Sequence, residues 1–196
     1  IDGPLGWLSP VKAWNTAFAE VTSELTYCIS SEVIQAPDNI ARAKEILSNQ
    51  PAVLFGKAEC SCGPDGREVN WDGLAPGNLL VSAAHPRPLG FIMCLPTWLL
   101  RAIGGYDEAF MAGYWFDDDD FMMRLWQQQV PFIFDDEISG VHQHHERPVL
   151  DMPEGQAGIE RNRAYMLKKW GSERPWGEQK MDIERVSPTR TIIWHA

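Results

Sequence analysis

Apolar and polar positions alternate along this chain with two periods, and the switching between them lays out the fold. Pro10 to Val21 repeats apolar residues at helical spacing (Val11, Trp14, Ala17 or Phe18, Val21), with Ser9 placed to cap it and Pro10 in the first helical position. Leu25-Thr26-Tyr27-Cys28-Ile29 is a short β-prone run, read as a buried strand. A second helix is expected from about Pro37 to Asn49, with Ile40, Ala43, Ile46 and Leu47 inward. Ala52 to Cys60 reads as a strand, and Gly63-Pro64-Asp65-Gly66 as a turn into a returning strand. The Pro- and Gly-rich stretch from Gly73 to Pro88 reads as a long loop, the kind of segment that carries function. Gly90 to Leu95 is a further strand, and Thr97 caps a short helix reaching Ile103. Pro131 to Phe134 and Ile138 to Val141 read as two short strands, and about Ile159 to Trp170 as a last helix.

This alternation implies an α/β domain with part of its sheet parallel. The expected organisation is one domain over residues 1–170, followed by a C-terminal tail over 171–196 rich in Pro, Arg and Trp.

Between Ile103 and Pro131 the pattern changes character. Trp115-Phe116 leads into four consecutive carboxylates, Asp117-Asp118-Asp119-Asp120, and then Phe121-Met122-Met123-Arg124-Leu125. Asp118, Phe121, Met122 and Leu125 are spaced i, i+3, i+4 and i+7, so they share one helix face and Asp118 is turned toward the protein body. Acids suit a helix start, where Asp117 is the natural cap, but capping needs one or two and four adjacent anions repel. Asp120 and Arg124 are spaced for an intrahelical ion pair.

Composition narrows the chemistry. The 196 residues carry a net charge of −10, which argues against a general binder of nucleic-acid backbones. No stretch approaches the roughly 18 apolar residues of a membrane span. The four cysteines, Cys28, Cys60, Cys62 and Cys94, have no zinc-ligand spacing; read as reduced, structural thiols, they favour a cytoplasmic location. Ile1-Asp2-Gly3-Pro4-Leu5 reads as the interior of a longer chain.

In open α/β sheets ligands gather beyond the carboxyl ends of strands, and three polar clusters sit at such ends: Ser30-Ser31-Glu32, the acid run, and His142-Gln143-His144-His145. Carboxylate with imidazole suits Mn²⁺, and carboxylate alone Mg²⁺. On an extended strand His142 and His144 would face together, with His145 opposed.

These blocks, in this order, resemble a GT-A-fold, family-2 type inverting glycosyltransferase. Trp14-Asn15 with Ala19 stands where the family has Arg-Asn before a small-residue helix, and Ser30-Ser31-Glu32 stands at its metal-binding Asp-X-Asp. Ile103-Gly104-Gly105-Tyr106-Asp107-Glu108-Ala109-Phe110 reproduces its Ile-Gly-Gly-Phe-Asp-Glu-x-Phe block. Asp117 to Leu125 is the counterpart of Glu-Asp-x-Asp-Leu-x-x-Arg-Leu, and Val141-His142-Gln143-x-His145 matches the downstream strand ending in His. The resemblance spans about Pro10 to Arg147. It departs in offering one carboxylate, Glu32, where the family has two, and in having no counterpart of the family's N-terminal nucleotide-binding strands.

The resemblance implies a GT-A-like (Rossmann-like) mixed sheet flanked by helices. It also implies a hexosyl transfer in glycan biosynthesis, from a nucleotide sugar, a UDP-sugar above others, to a glycan or other hydroxyl acceptor. Asp118 would be the general base. Glu32 and His142, with His144 as substitute, would hold Mn²⁺ or Mg²⁺. Asp107, Glu108 and Asp117 would shape the acceptor side, with Trp115, Trp98 or Trp71 stacking on a sugar ring, and Asn15 and Arg87 would lie on the donor side. Two other classes fit the same residues: a non-catalytic carbohydrate-binding or scaffold protein, and a metal-dependent phosphohydrolase.

Overall fold

Continuous apolar runs such as Val53-Leu54-Phe55-Gly56, buried at every position, mark strands covered on both faces. In the computed structural model, which describes residues 9–61, 79–145 and 152–196, that run forms the middle of an eight-stranded sheet. The Gly63–Gly66 turn, Cys62, Trp71, the loop residues up to 78 and Arg147 lie outside the described residues. The chain divides into two units built from six alternating segments: Ile1–Thr22, Thr97–Gln128 and Glu146–Gln179 form the first, and Ser23–Pro96, Gln129–His145 and Lys180–Ala196 the second.

The second unit holds the sheet: β1 (Leu25–Ile29), β2 (Val33–Gln35), β3 (Val53–Cys60), β4 (Leu79–Val81), β5 (Ile92–Pro96), β6 (Phe132–His142), β7 (Met181–Ser187) and β8 (Arg190–His195). The order is β1-β5-β3-β6-β8-β7, with β2 on β6 and β4 on β3. Among the described strands β3 and β6 run parallel and every other pairing is antiparallel. The class is therefore α/β with a mixed, mostly antiparallel sheet. Leu54, Ile92, Cys94, Ile133, Ile138 and Ile192 build its core together with Ala43, Ile46 and Leu47 from α2 (Asn39–Leu47). Burial drives the Cys28 thiol up to about 12 and the Cys94 thiol up to about 11, so both stay protonated core groups.

Three expectations change here. The residues beyond Trp170 are no tail: β7 and β8 form a hairpin, and β8 extends the sheet along β6 with Thr191 and Ile193 buried. The two strands expected around Asp135 are one, β6, interrupted where Gly56 pairs with Asp135 and Lys57 pairs with Ser139. The intervening residues form a bulge held by charge. Arg190 grips the buried Asp135 carboxylate through Nε at 2.7 Å, and the Ala83 N–H donates to Asp136 at 2.7 Å. Gly56 is required at this point, since a Cβ there would meet Ile138 and Ile92 at 2.8–2.9 Å. Finally, Ile40 is exposed rather than inward. Its neighbour Asn39 is buried instead, its amide donating to the Ser139 carbonyl at 2.8 Å and accepting the Ser139 N–H at 3.1 Å.

The first unit is helical: α1 (Val11–Ala19), α3 (Thr97–Ile103), α4 (Asp117–Trp126) and α5 (Pro153–Trp170). Phe18, Tyr106 and Phe121 stack with centroids 4.1–6.2 Å apart, and Trp14 extends the stack. Helix α5 begins earlier than its apolar periodicity implies, at Pro153, a residue suited to a first helical turn, and ends at Gly171 in the left-handed conformation. Among the described residues no helix is long and apolar enough to cross a membrane.

Candidate active site

Helix α4 is entered through an unusual turn. Trp115 and Phe116 both take left-handed backbone angles, φ 63° and 68°, which for bulky residues costs about 1–3 kcal/mol each. The helix itself starts at Asp117, so Asp117 is not the cap that its position in the sequence promised; Phe116 occupies that place. Nor does Ser9 cap α1. Its hydroxyl donates instead to the Asp117 carboxylate at 2.7 Å.

The four acids have different surroundings. Burial raises the Asp117 carboxyl, against the Ser9 hydroxyl and the N–H groups of the helix start. Asp118 rises to about 7: burial is the main cause, the Asp117 and Asp119 charges add to it, and the Tyr106 hydroxyl, donating at 2.9 Å, opposes it. Asp120 is fully buried and ionically paired. Arg124 Nε reaches it at 2.8 Å, as the i, i+4 spacing foretells, and Lys169 Nζ and Trp170 Nε1 arrive from α5 at 2.6 and 2.8 Å.

Around these acids the Ile103–Phe110 block is clamped from several sides. Arg124 Nη1 donates to the carbonyls of Ile103 and Gly105 at 2.7 and 2.6 Å. Asn15, expected on the donor side, commits its amide to this loop: it accepts the Tyr106 N–H at 2.7 Å and donates to the Tyr106 carbonyl at 2.9 Å and to Glu108 at 3.2 Å. Gly105, at φ 74°, leaves room for it, since a Cβ would lie 2.4 Å from Asn15 Oδ1. Asp107 accepts from the Ala109 N–H at 2.9 Å, from Tyr165 at 2.9 Å and from Lys169 at 2.7 Å. Burial alone would raise Asp107, but these donors outweigh it and hold the carboxyl below its usual range. Asp107 and Glu108 therefore brace the loop, while Trp115, with 48% of its surface exposed, presents an open aromatic face. Sequence reasoning gave Tyr106, Ser9, Lys169 and Trp170 no part in the site. Tyr106 was visible as the aromatic of the Gly-Gly-Tyr-Asp block; the others act across long sequence separations.

The carboxylate and histidines of the second unit are arranged differently from expectation. Glu32 lies in the turn between β1 and β2, where its carbonyl accepts the Gln143 N–H at 2.8 Å. Burial would raise its carboxyl, but its own N–H, the Ser30 and Ser31 hydroxyls and the nearby His142 hold it below the usual range. His142 is buried, with Nδ1 3.7 Å from Cys60 Sγ and its ring edge-on to Phe91. His145, not His144, approaches it, with ring centroids 5.4 Å apart. Strand β6 ends at His142, so side-chain alternation does not carry through to His144, which is exposed and whose N–H donates to Ser61 at 2.6 Å. Glu32, His142 and His144 do not assemble into a three-ligand set, and no group of three such donors occurs among the described residues. Arg87 is half-buried in the loop before β5, its N–H donating to the His85 carbonyl at 2.8 Å.

Compared with models of protein families and with curated proteins, the chain matches none. A carboxyl that titrates near neutrality, half-buried on a helix and bonded to a phenol, can take a proton from a hydroxyl. Its titration also leaves a mark on stability. Folded Asp118 keeps its proton to about pH 7, whereas the unfolded chain releases it near the ordinary 3.8. Across that window the unfolded state binds fewer protons, so stability falls as pH rises and levels off above 7. Thermal unfolding between pH 4 and 8 should show Asp118→Asn gaining on the wild type through this window. A constant difference would mean that Asp118 titrates at its ordinary value.

Proposed function

We propose that the protein is an inverting glycosyltransferase of the GT-A, family-2 type, moving a sugar from a nucleotide-sugar donor to a hydroxyl acceptor, with Asp118 as general base. The observation that carries the reading is Asp118 itself: a carboxyl raised to about 7, held by the Tyr106 hydroxyl at 2.9 Å and placed directly after the clamped Ile103–Phe110 block. A base with that affinity takes the proton of an attacking hydroxyl at neutral pH, typically contributing 10²–10⁴-fold. Trp115 offers its exposed face to a pyranose ring, and Asp107, Glu108 and Asn15 hold the loop beside the base rather than contacting substrate.

On the donor side, Glu32 is ionised and His142 stands near it. Hard divalent cations bind through one or two protein carboxylates completed by substrate phosphates, so a partial set of this kind fits Mn²⁺ or Mg²⁺. Glu32 would be the principal ligand, since His142 is buried. When bound, the cation would offset charge on the departing diphosphate. Arg87 is a candidate cation for that diphosphate. The thin ligand set is also the observation that favours a second reading, a carbohydrate-binding protein without transfer activity.

Thermal-shift screening of sugar nucleotides, with Mn²⁺ and with chelator, tests the proposal, followed by assay with hydroxyl acceptors. A donor- and metal-dependent rise in Tm with acceptor-dependent release of nucleoside diphosphate is the expected result. Stabilisation by sugars but by no nucleotide sugar would replace the transferase with the binding protein. Release of free sugar without an acceptor would point to a hydrolase.

A further inference from the structure

Asn162 lies on α5 and is fully buried. Its Nδ2 donates to three carbonyls of the loop before α4: Phe110 at 3.1 Å, Tyr114 at 3.2 Å and Trp115 at 3.1 Å. Two N–H bonds serve three acceptors, which fixes the amide's orientation and leaves Oδ1 without a hydrogen-bond partner. A buried amide oxygen with no partner is costly, so the site sacrifices one group to satisfy three. Oδ1 sits against Gly113, where a Cβ would fall 2.3 Å from it and 2.4 Å from the Gly158 carbonyl. Gly113 therefore lets the loop backbone rest directly on α5.

The Trp115 carbonyl is the last backbone group before Phe116 and Asp117, and it belongs to the pair of bulky residues held at positive φ. Such a conformation persists only where its surroundings over-determine it. Asn162 supplies that constraint at the residue where the turn into α4 is set. The direction in which α4 leaves the turn fixes where Asp118 meets the Tyr106 hydroxyl.

We infer that Asn162 is a positioning residue for Asp118, acting through the carbonyls of the Phe110–Trp115 loop and seated by Gly113. The inference rests on Asp118 as the base, but its test does not require turnover. Asp118 faces Asp117 and Asp119 on its own helix and Tyr106 from the loop after α3, and its titration reports how tightly those groups are held.

Asn162→Leu keeps the volume and neutrality of the side chain and removes every donor. Carboxyl ¹³C NMR should show the Asp118 midpoint falling by about one unit as the loosened turn admits water. Where transfer is measurable, kcat should fall roughly 10- to 100-fold with KM within about twofold. If Asn162→Leu does not fold, Gly113→Ala perturbs the same contact from the loop side with Asn162 intact, and the same downward shift is expected. An Asp118 midpoint equal to wild type in either folded variant overturns the inference. A shifted midpoint in a protein that transfers no sugar would uphold the positioning role and sink the transferase reading instead.

Discussion

Asp118→Asn is expected to lower acceptor-dependent transfer by about 10²–10⁴-fold, the range over which a positioned general base contributes, while donor-induced stabilisation stays near wild type. The substitution keeps shape and the acceptor oxygen that receives the Tyr106 hydroxyl, and removes only the ability to take a proton. In the wild type, kcat should climb as pH rises through about 7, where the carboxyl ionises, and flatten above. In the variant that limb should vanish from the residual rate. Single-turnover transfer at saturating donor, measured from pH 5 to 9, reads both. Full activity in Asp118→Asn would remove Asp118 from the chemistry, and an unchanged pH limb would assign it to another group.

The largest effect on stability is expected at Asp120. Its carboxylate, with no exposed surface, compensates Arg124 and Lys169 and accepts from Trp170. Asp120→Ala leaves two cations facing each other in a partly buried space, and breaking a buried charge set by removing one partner costs about 3–5 kcal/mol. For a chain of this size each kcal/mol is worth about 2–4 °C, so Tm should fall by on the order of 10 °C. Replacing the partly exposed Lys169 with Met should cost less, because Arg124 still answers the charge. A Tm for Asp120→Ala within about 2 °C of wild type would show that the network contributes little.

How much of this was legible in the sequence depended on range. Leu25–Ile29, Val53–Cys60 and Thr97–Ile103 follow from local apolar pattern, and the Asp120–Arg124 pair follows from helical spacing. The partners that decide Asp120 and Asp107 come from α5, dozens of residues later, and no local pattern announces them. Strand β7 was hidden because it is exposed along its length and carries Asp182, Glu184 and Arg185 among its apolar residues, so it reads as polar tail. Strand β6 was split by Asp135-Asp136-Glu137, acids of which Asp135 is paired in the ladder and the other two belong to the bulge that follows it. The cap at Asp117 failed for a different reason: two aromatic residues at positive φ are disfavoured by their own chemistry, and the Asn162 amide that bonds the Trp115 carbonyl comes from far along the chain. The expected facing of His142 with His144 failed through one extrapolation, that the strand continues past His142.

The alternation of six segments between the two units has a consequence for how the chain is made. Neither unit is a single stretch that a ribosome can finish and release to fold. Asp120 and Asp107 emerge long before Lys169 and Trp170, and β6 emerges well ahead of β8, the strand that closes one side of it. The first unit therefore stays incomplete until its segment ending at Gln179 has been made, and the second until the segment from Lys180 follows. Folding is therefore dominated by contacts distant in sequence and is correspondingly slow. A stop codon near Trp170 would cost more than a terminus: it would leave the sheet without its last two strands and β6 with an open edge.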